Sequence, residues 1–565
     1  MRSSFAFLFP AVLASTIASS ALAWEPNGTP ICTAANFQTG AGILSDGAGG
    51  GIFVWQDLRS GNYDIYAQRV DALGSPQWAA DGVALCTATG HQDLPVGIVS
   101  DGEGGAIVTW RDGRSGVENF YKDIYAQRID ASGSAQWAAD GVVICDATDT
   151  QGDPQILSDG AGGAIVTWVD QRSGTLDVYA QRVDASGAPL WTVNGVALCT
   201  ATGVQSVPTT VSDGAGGAIV AWQDLRGGSG TTDIYAQRVD GSGVSQWAAD
   251  GVAICSATDV SYVPEIAPDG VGGAIITWDD NRGGANTNDI YAQRVDPAGV
   301  VQWATDGVPL CTATSYQTFP TILSDGAGGA IVTWSDHRSV DWDVYAQRVD
   351  ASGVVQWTAD GVAIAVVAND QWIPAIAQDG AGGTIITWQD KRTGINDIYC
   401  QRVDASGAPQ WAANGIALVT LNGDNHNPVI SSDGLGGAIV AWMDKRTDPD
   451  DIYALRITGD GMKPSSVGHA PSFVGASLSP NFPNPFSIET AMDLRLSAAG
   501  DVETRVLDVS GRALRRIGLL RMNAGLRRVT FDGLDDEGQP LPSGVYFYCV
   551  TANGATFAHR MVIAR

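Results

Sequence analysis

Methionine and histidine are nearly absent, 6 and 5 in a chain of 565 residues, and past the first two dozen positions no apolar run approaches the ~20 residues of a membrane-spanning helix. No later window places apolar residues at helical spacing, which excludes a helical bundle. Glutamate is scarce: across residues 24–461 only Glu25, Glu103, Glu118 and Glu265 occur, at unrelated positions, a poor start for a glycosidase carboxylate pair. Positive charge is short too, 32 Lys and Arg against 61 Asp and Glu, a formal net charge of −29. Such a surface disfavours nucleic acid and anionic membranes as partners. No phosphate-cradling loop is present, because the Gly-rich turns lie between strands and open no helix.

Glycine and tryptophan are plentiful, 70 and 18, the composition of a turn-rich β-protein. Residues 1–23 read as a secretory signal peptide: Arg2, an apolar stretch from Phe5 to Ala18, then Ala21-Leu-Ala23 as a small-residue cleavage site. The chain from residue 24 is therefore expected to be exported, with no membrane span.

A repeat of 54 to 58 residues then dominates, its Asp-Gly opening at Asp46, Asp101, Asp159, Asp213, Asp269, Asp325, Asp379 and Asp433. Each unit reads as four short strands. In the sixth they are Pro320 to Ser324, Ala330 to Ser335, Asp343 to Asp350 and Gly361 to Val366, separated by Gly, Asp and Ser turns. A module this small cannot bury a core alone and must pack on its neighbours. The eighth unit lacks a fourth strand, while Trp24 to Ala34 matches the fourth-strand phrase Trp78 to Ala88. We therefore expect an all-β chain: an eight-bladed β-propeller over 24–461, closed by the N-terminal strand, a linker at 462–479 and a small Ig-like β-sandwich at 480–565.

Within the repeat, Trp-x-Asp-x-Arg holds in all eight copies, Asp57 with Arg59 and Asp336 with Arg338 among them, and reads as a structural pair. Six of the eight cysteines (Cys32, Cys86, Cys145, Cys199, Cys255 and Cys311) share one repeat position, too far apart to bridge, and Cys400 and Cys549 stand alone. Varied, polar and aromatic residues gather in the links between units and the second-to-third loops: His91, Gln92, Asp93, Phe120, Tyr121, Tyr262, Tyr316, Trp342, Trp372, Asn425 and His426. Variable loops on a rigid scaffold form a candidate binding face, with neutral drift as the alternative. His91, His337 and His426 lack metal-ligand spacing, and no metal site or cofactor is expected. The Asp448-Pro-Asp-Asp451 loop leaves room for a structural calcium ion.

In the last 85 residues or so, Pro483-Asn-Pro-Phe486, Val506 to Arg512, Thr530-Phe-Asp-Gly533 to Glu537-Gly538 and Pro542-Ser-Gly544-Val-Tyr546 stand together. This segment resembles the C-terminal sorting domain of type IX secretion substrates, akin to the Ig-like domain of flagellar hook-capping proteins. The resemblance implies contact with a bacterial secretion machinery, then release or cell-surface attachment. Two functions fit: a non-enzymatic binder of an extracellular glycan, polymer or protein, which is the first expectation, and a propeller-type polysaccharide hydrolase or lyase. A purely structural surface component is a third.

Overall fold

Four antiparallel strands per repeat form in a computed structural model, in the order the chain supplies them, because every turn has residues suited to it. The structure describes residues 24–463 apart from 116–121, 229–230, 258–260, 285–286, 422 and 448. In the C-terminal part it describes 476–478, 486, 490–496, 500–508, 512–522, 525–552 and 555–563. The expected signal peptide, Phe120, Tyr121, Asp448, most of the linker and the start of the Pro483-Asn-Pro-Phe486 motif lie outside the described residues. The chain divides into two compact units, residues 1–466 and 467–565.

The first unit holds eight four-stranded sheets, here sheets 1 to 8. Sheet 6 is typical: Gln317–Ser324, Ala330–Asp336, Asp343–Val349 and Val362–Ala365, side by side. Sheet 8 takes Asn425–Ser432, Ala438–Asp444 and Asp451–Ile457 from the end of the unit and Thr29–Cys32 from its beginning. Thr29 pairs with Ala454 and Cys32 with Ile452. The first strands of successive sheets touch one another, and that of sheet 1 touches that of sheet 8, so these strands form the innermost layer of a propeller-like arrangement.

The core lies between sheets. Second strands such as Ala330–Asp336 are buried along their whole length, and their tryptophans, Trp55 through Trp442, are 0% exposed. Each such ring removes about 150–250 Å² from water, roughly 4–6 kcal/mol. A second tryptophan donates its indole N–H to a turn carbonyl of the next sheet: Trp303 to Ala351 O at 3.1 Å, Trp357 to Ala405 O at 3.2 Å, Trp411 to Gly459 O at 3.2 Å. The series ends with Trp24, which reaches from sheet 8 to Ala72 O of sheet 1 at 3.1 Å. Glycine is required where this ring lands: a Cβ on Gly353, at φ 86°, would sit 2.7 Å from Trp303.

The repeated Asp-Arg pair welds three strands. Asp336, fully buried, accepts from Trp334 Nε1 at 2.8 Å, Arg338 Nε at 2.8 Å and Arg338 Nη2 at 2.6 Å. Arg338 also donates to Asp360 O at 2.7 Å and lies 3.9 Å over the Tyr345 ring. Asp57, Arg59, Asp81 and Tyr66 repeat this in sheet 1. Cys311 completes the cluster, accepting from Arg338 Nη2 at 3.1 Å, its thiol pushed up to about 12 by burial. All eight cysteines are free.

Two expectations need correcting. The first strand begins earlier than its proline suggests; in sheet 6 it starts at Gln317, three residues before Pro320, and a bulge between Thr318 and Thr321 carries the proline. The linker is interrupted by a strand, Ala476–Leu478, which pairs with Thr490–Leu496.

The second unit consists of a three-stranded and a four-stranded sheet. Its strand Ala513–Met522 escapes a reading by alternation, because Arg-Arg and Leu-Leu pairs break the period of two. Among the described residues no helix is long and apolar enough to cross a membrane.

Candidate functional site: the inner rim

Two successive positions of each innermost strand, at the end where the chain enters from the preceding sheet, depart from the repeat. In seven sheets the preceding residue is constant in role: Gln38, Gln92, Gln151, Gln205, Gln317, Gln371 and Asn425 are buried, and most donate to carbonyls of the entering link, while sheet 5 has Ser261 there. Gln92 and Asn425 thus hold backbone in place and do not face solvent.

The next position reads Thr39, Asp93, Gly152, Ser206, Tyr262, Thr318, Trp372 and His426 around the eight sheets. These pair across to Gln56, Arg111, Val169, Gln223, Asp279, Ser335, Gln389 and Met443. The position after that is left-handed in seven sheets, at Gly40, Asp153, Val207, Val263, Phe319, Ile373 and Asn427, with φ between 45° and 65°. Glycine is at ease there; Val207, Val263, Phe319 and Ile373 are strained by about 1–2 kcal/mol each. Sequence reading had no signal for this strain beyond the following proline.

Sheet 5 concentrates the chemistry. Tyr262 faces Asp279, and Glu265 faces Thr277, so all four side chains share one face of the sheet. Asp279, 3% exposed, accepts on Oδ2 from Asn288 Nδ2 and from Thr318 Oγ1 of sheet 6, both at 3.0 Å. Its Oδ1 is buried and has no partner among the described residues. Burial pushes its carboxyl up to about 6, against the lowering effect of those two donors. Glu265 has no hydrogen-bond or ionic partner among the described residues, and burial alone pushes it up to about 7. Its equivalents are Gly42, Gly97, Gln155, Thr209, Thr321, Ala375 and Val429, so this carboxyl is peculiar to one sheet. Glu265, one of four glutamates at unrelated repeat positions, thus lies on an innermost strand.

The other sequence-predicted residues spread round the rim. His91 accepts at Nδ1 from the Tyr63 amide at 3.1 Å and stacks obliquely on the Tyr63 ring at 5.5 Å. Asp93 pairs with Lys122 at 2.7 Å. Trp342 lies 4.9 Å from the His337 ring, and its amide donates to Asp370 Oδ1 at 3.3 Å. The Tyr316 carbonyl accepts from the His337 amide at 2.7 Å. His426 Nε2 faces Asp450 Oδ2 at 3.7 Å, and Lys445 faces Asp450 Oδ1 at 3.8 Å. Trp372 is partly buried, and Tyr262 is 38% exposed. In the loop considered for calcium, Asp451 accepts from Thr447 Oγ1 at 2.5 Å and Asp450 faces His426. Among the described residues no group of three or more His, Cys, Asp or Glu is placed to hold a metal ion.

The family model of the FlgD Ig-like domain matches residues 485–556. A comparison with curated proteins found no match. Among solved structures, the chain is similar to a polysaccharide lyase of family PL25, an ulvan lyase, at 14% identity over 63% of this chain and 90% of that one, TM-score 0.42. It is also similar to an endo-arabinase from Bacteroides thetaiotaomicron, at 15% identity over 47% of this chain and 96% of that one, TM-score 0.27. PorZ, a surface component of the type IX secretion system of Porphyromonas gingivalis, matches at 13% identity over 94% of this chain and 75% of that one, TM-score 0.28. The first expectation of a chain without enzymatic activity is corrected: the similar structures are mostly polysaccharide lyases and glycoside hydrolases.

Proposed function

We propose that this chain is an exported enzyme that cleaves a polysaccharide at the inner rim of an eight-bladed β-propeller, with Glu265 as the proton donor. The observation that carries this reading is the Glu265 carboxyl, partly buried on an innermost strand, on the same face as Asp279 and unpaired among the described residues, with burial pushing it up to about 7. A general acid works best when its pKa lies near the working pH, and burial without a cationic partner is the way a carboxyl gets there. Asp279 on the same face is a positioning residue, because its Oδ2 ties the rim of sheet 5 to Thr318 of sheet 6. The eight sheets, and Trp24 closing the series of indole bonds onto sheet 1, support the closed ring.

The C-terminal unit serves delivery or tethering at the cell surface in this reading, as the FlgD-type Ig-like match over residues 485–556 supports. The test is to incubate the purified chain with a panel of polysaccharides and assay both new reducing ends and unsaturated products. Turnover that Glu265→Gln abolishes supports the reading; turnover unchanged by that substitution, or none on any polysaccharide, refutes it. Reducing ends without unsaturation indicate hydrolysis, and unsaturation indicates a lyase.

A further inference from the structure

Phe319 is costly where it stands. It is 49% exposed, and it holds φ 54°, a left-handed conformation that the same position in sheet 1 gives to Gly40. Neither strain nor exposure of an aromatic ring helps the sheet fold. Two more aromatic residues flank it at the rims of the adjoining sheets: Tyr262 in sheet 5, 38% exposed, and Trp372 in sheet 7, whose indole N–H is buried without an acceptor among the described residues. Thr318, the residue before Phe319, donates to Asp279, which faces Tyr262 across the strands. The aromatic arc therefore adjoins the carboxyls of sheet 5.

Several charges around the rim are paired. Lys122 faces Asp93 at 2.7 Å, Arg111 faces Asp153 at 4.0 Å, and His426 and Lys445 face Asp450 at 3.7 and 3.8 Å. The chain as a whole carries a net charge of −29, which repels polyanions. We infer that Tyr262, Phe319 and Trp372 form a stacking platform for an uncharged polysaccharide, whose sugar rings lay their C–H faces on the aromatic rings beside Glu265. This rests on the cleavage reading for its chemistry, and it selects hydrolysis. Elimination needs a C–H made acidic by a uronate carboxylate, which a neutral chain lacks. In hydrolysis the glycosidic C–O bond breaks and its oxygen takes the Glu265 proton. A water oxygen bonds to the sugar carbon, and the proton it sheds returns through solvent to the Glu265 carboxylate.

The experiment is affinity electrophoresis of the full chain from residue 24 in gels carrying β-glucan, xylan or arabinan as neutral probes and alginate or polygalacturonate as acidic ones. Retardation by at least one neutral probe and by neither acidic one is expected. Phe319→Gly should weaken that retardation about tenfold, the size of one aromatic contact, without lowering the melting temperature, and Phe319→Tyr should restore it. A purely structural Phe319 would instead lower the melting temperature on replacement by glycine. Binding of acidic probes alone, or retardation unaffected by Phe319→Gly, overturns the inference. Phe319-dependent binding to a neutral probe with no bond cleavage sustains the platform and sinks the cleavage reading. Cleavage at equal rates by wild type and Phe319→Gly sinks the platform and leaves the cleavage reading standing.

Discussion

Replacing Asp279 by asparagine should flatten the pH dependence of stability. The carboxyl is 3% exposed, with one oxygen bonded to Asn288 and Thr318 and the other without a partner among the described residues. Burial moves it from the ordinary 3.8 to about 6. A carboxyl whose folded pKa is raised favours the folded state fully below pH 3.8, and that contribution is lost as pH rises through about 6. A gap of roughly two pH units corresponds to about 3 kcal/mol. Wild type should therefore lose about 3 kcal/mol more than Asp279→Asn between pH 3.8 and 8, most of it between the unfolded value of 3.8 and the folded value of about 6. Other groups titrate in this range, notably Asp289, pushed up to about 6 by burial because Gly283 stands where Ser339 supplies a hydroxyl to Asp343. The comparison must therefore be between the two proteins at each pH, by urea unfolding. Parallel curves for wild type and Asp279→Asn would refute the reasoning.

Three further outcomes follow from the same structure. Arg338→Lys keeps the charge but loses the paired bonds to Asp336 and the stack on Tyr345, and should cost about 1–3 kcal/mol in urea unfolding. Reducing agent should leave the melting temperature unchanged, and a thiol reagent should react with Cys549 before any of the seven buried cysteines. Trp24→Ala, which removes a fully buried ring and the last indole bond onto sheet 1, should destabilise by about 3–5 kcal/mol, measured in the same way.

The sheets were legible because their determinants are local. Alternating Val, Tyr and Arg in Asp343–Val349 and the Gly and Asp turns around it mark strand and hairpin without help from the rest of the chain. The unpaired fourth-strand phrase at Trp24 was legible for the same reason, since sheet 8 pairs through the residues that match it. The rim was only half legible. Loop variety pointed to His91, Asp93, Tyr262, Trp372 and His426, which do stand there, but Gln92 and Asn425 resemble loop residues and are buried clamps. Glu265 and Phe319 stayed hidden because their significance depends on register: a bulge ahead of a proline decides which side chains meet the neighbouring sheet. The acidity of Glu265 likewise depends on what fails to surround it, which no spacing along the chain records.

The most direct test of the account is the pH–rate profile on a cleaved polysaccharide for wild type and Glu265→Gln. The account predicts that wild-type kcat/KM falls as pH rises through about 7, where Glu265 loses its proton, and that the glutamine variant is slower by about 10²–10⁴-fold at its optimum with that limb gone. A glutamine variant with the wild-type rate and the same limb near pH 7 would contradict it.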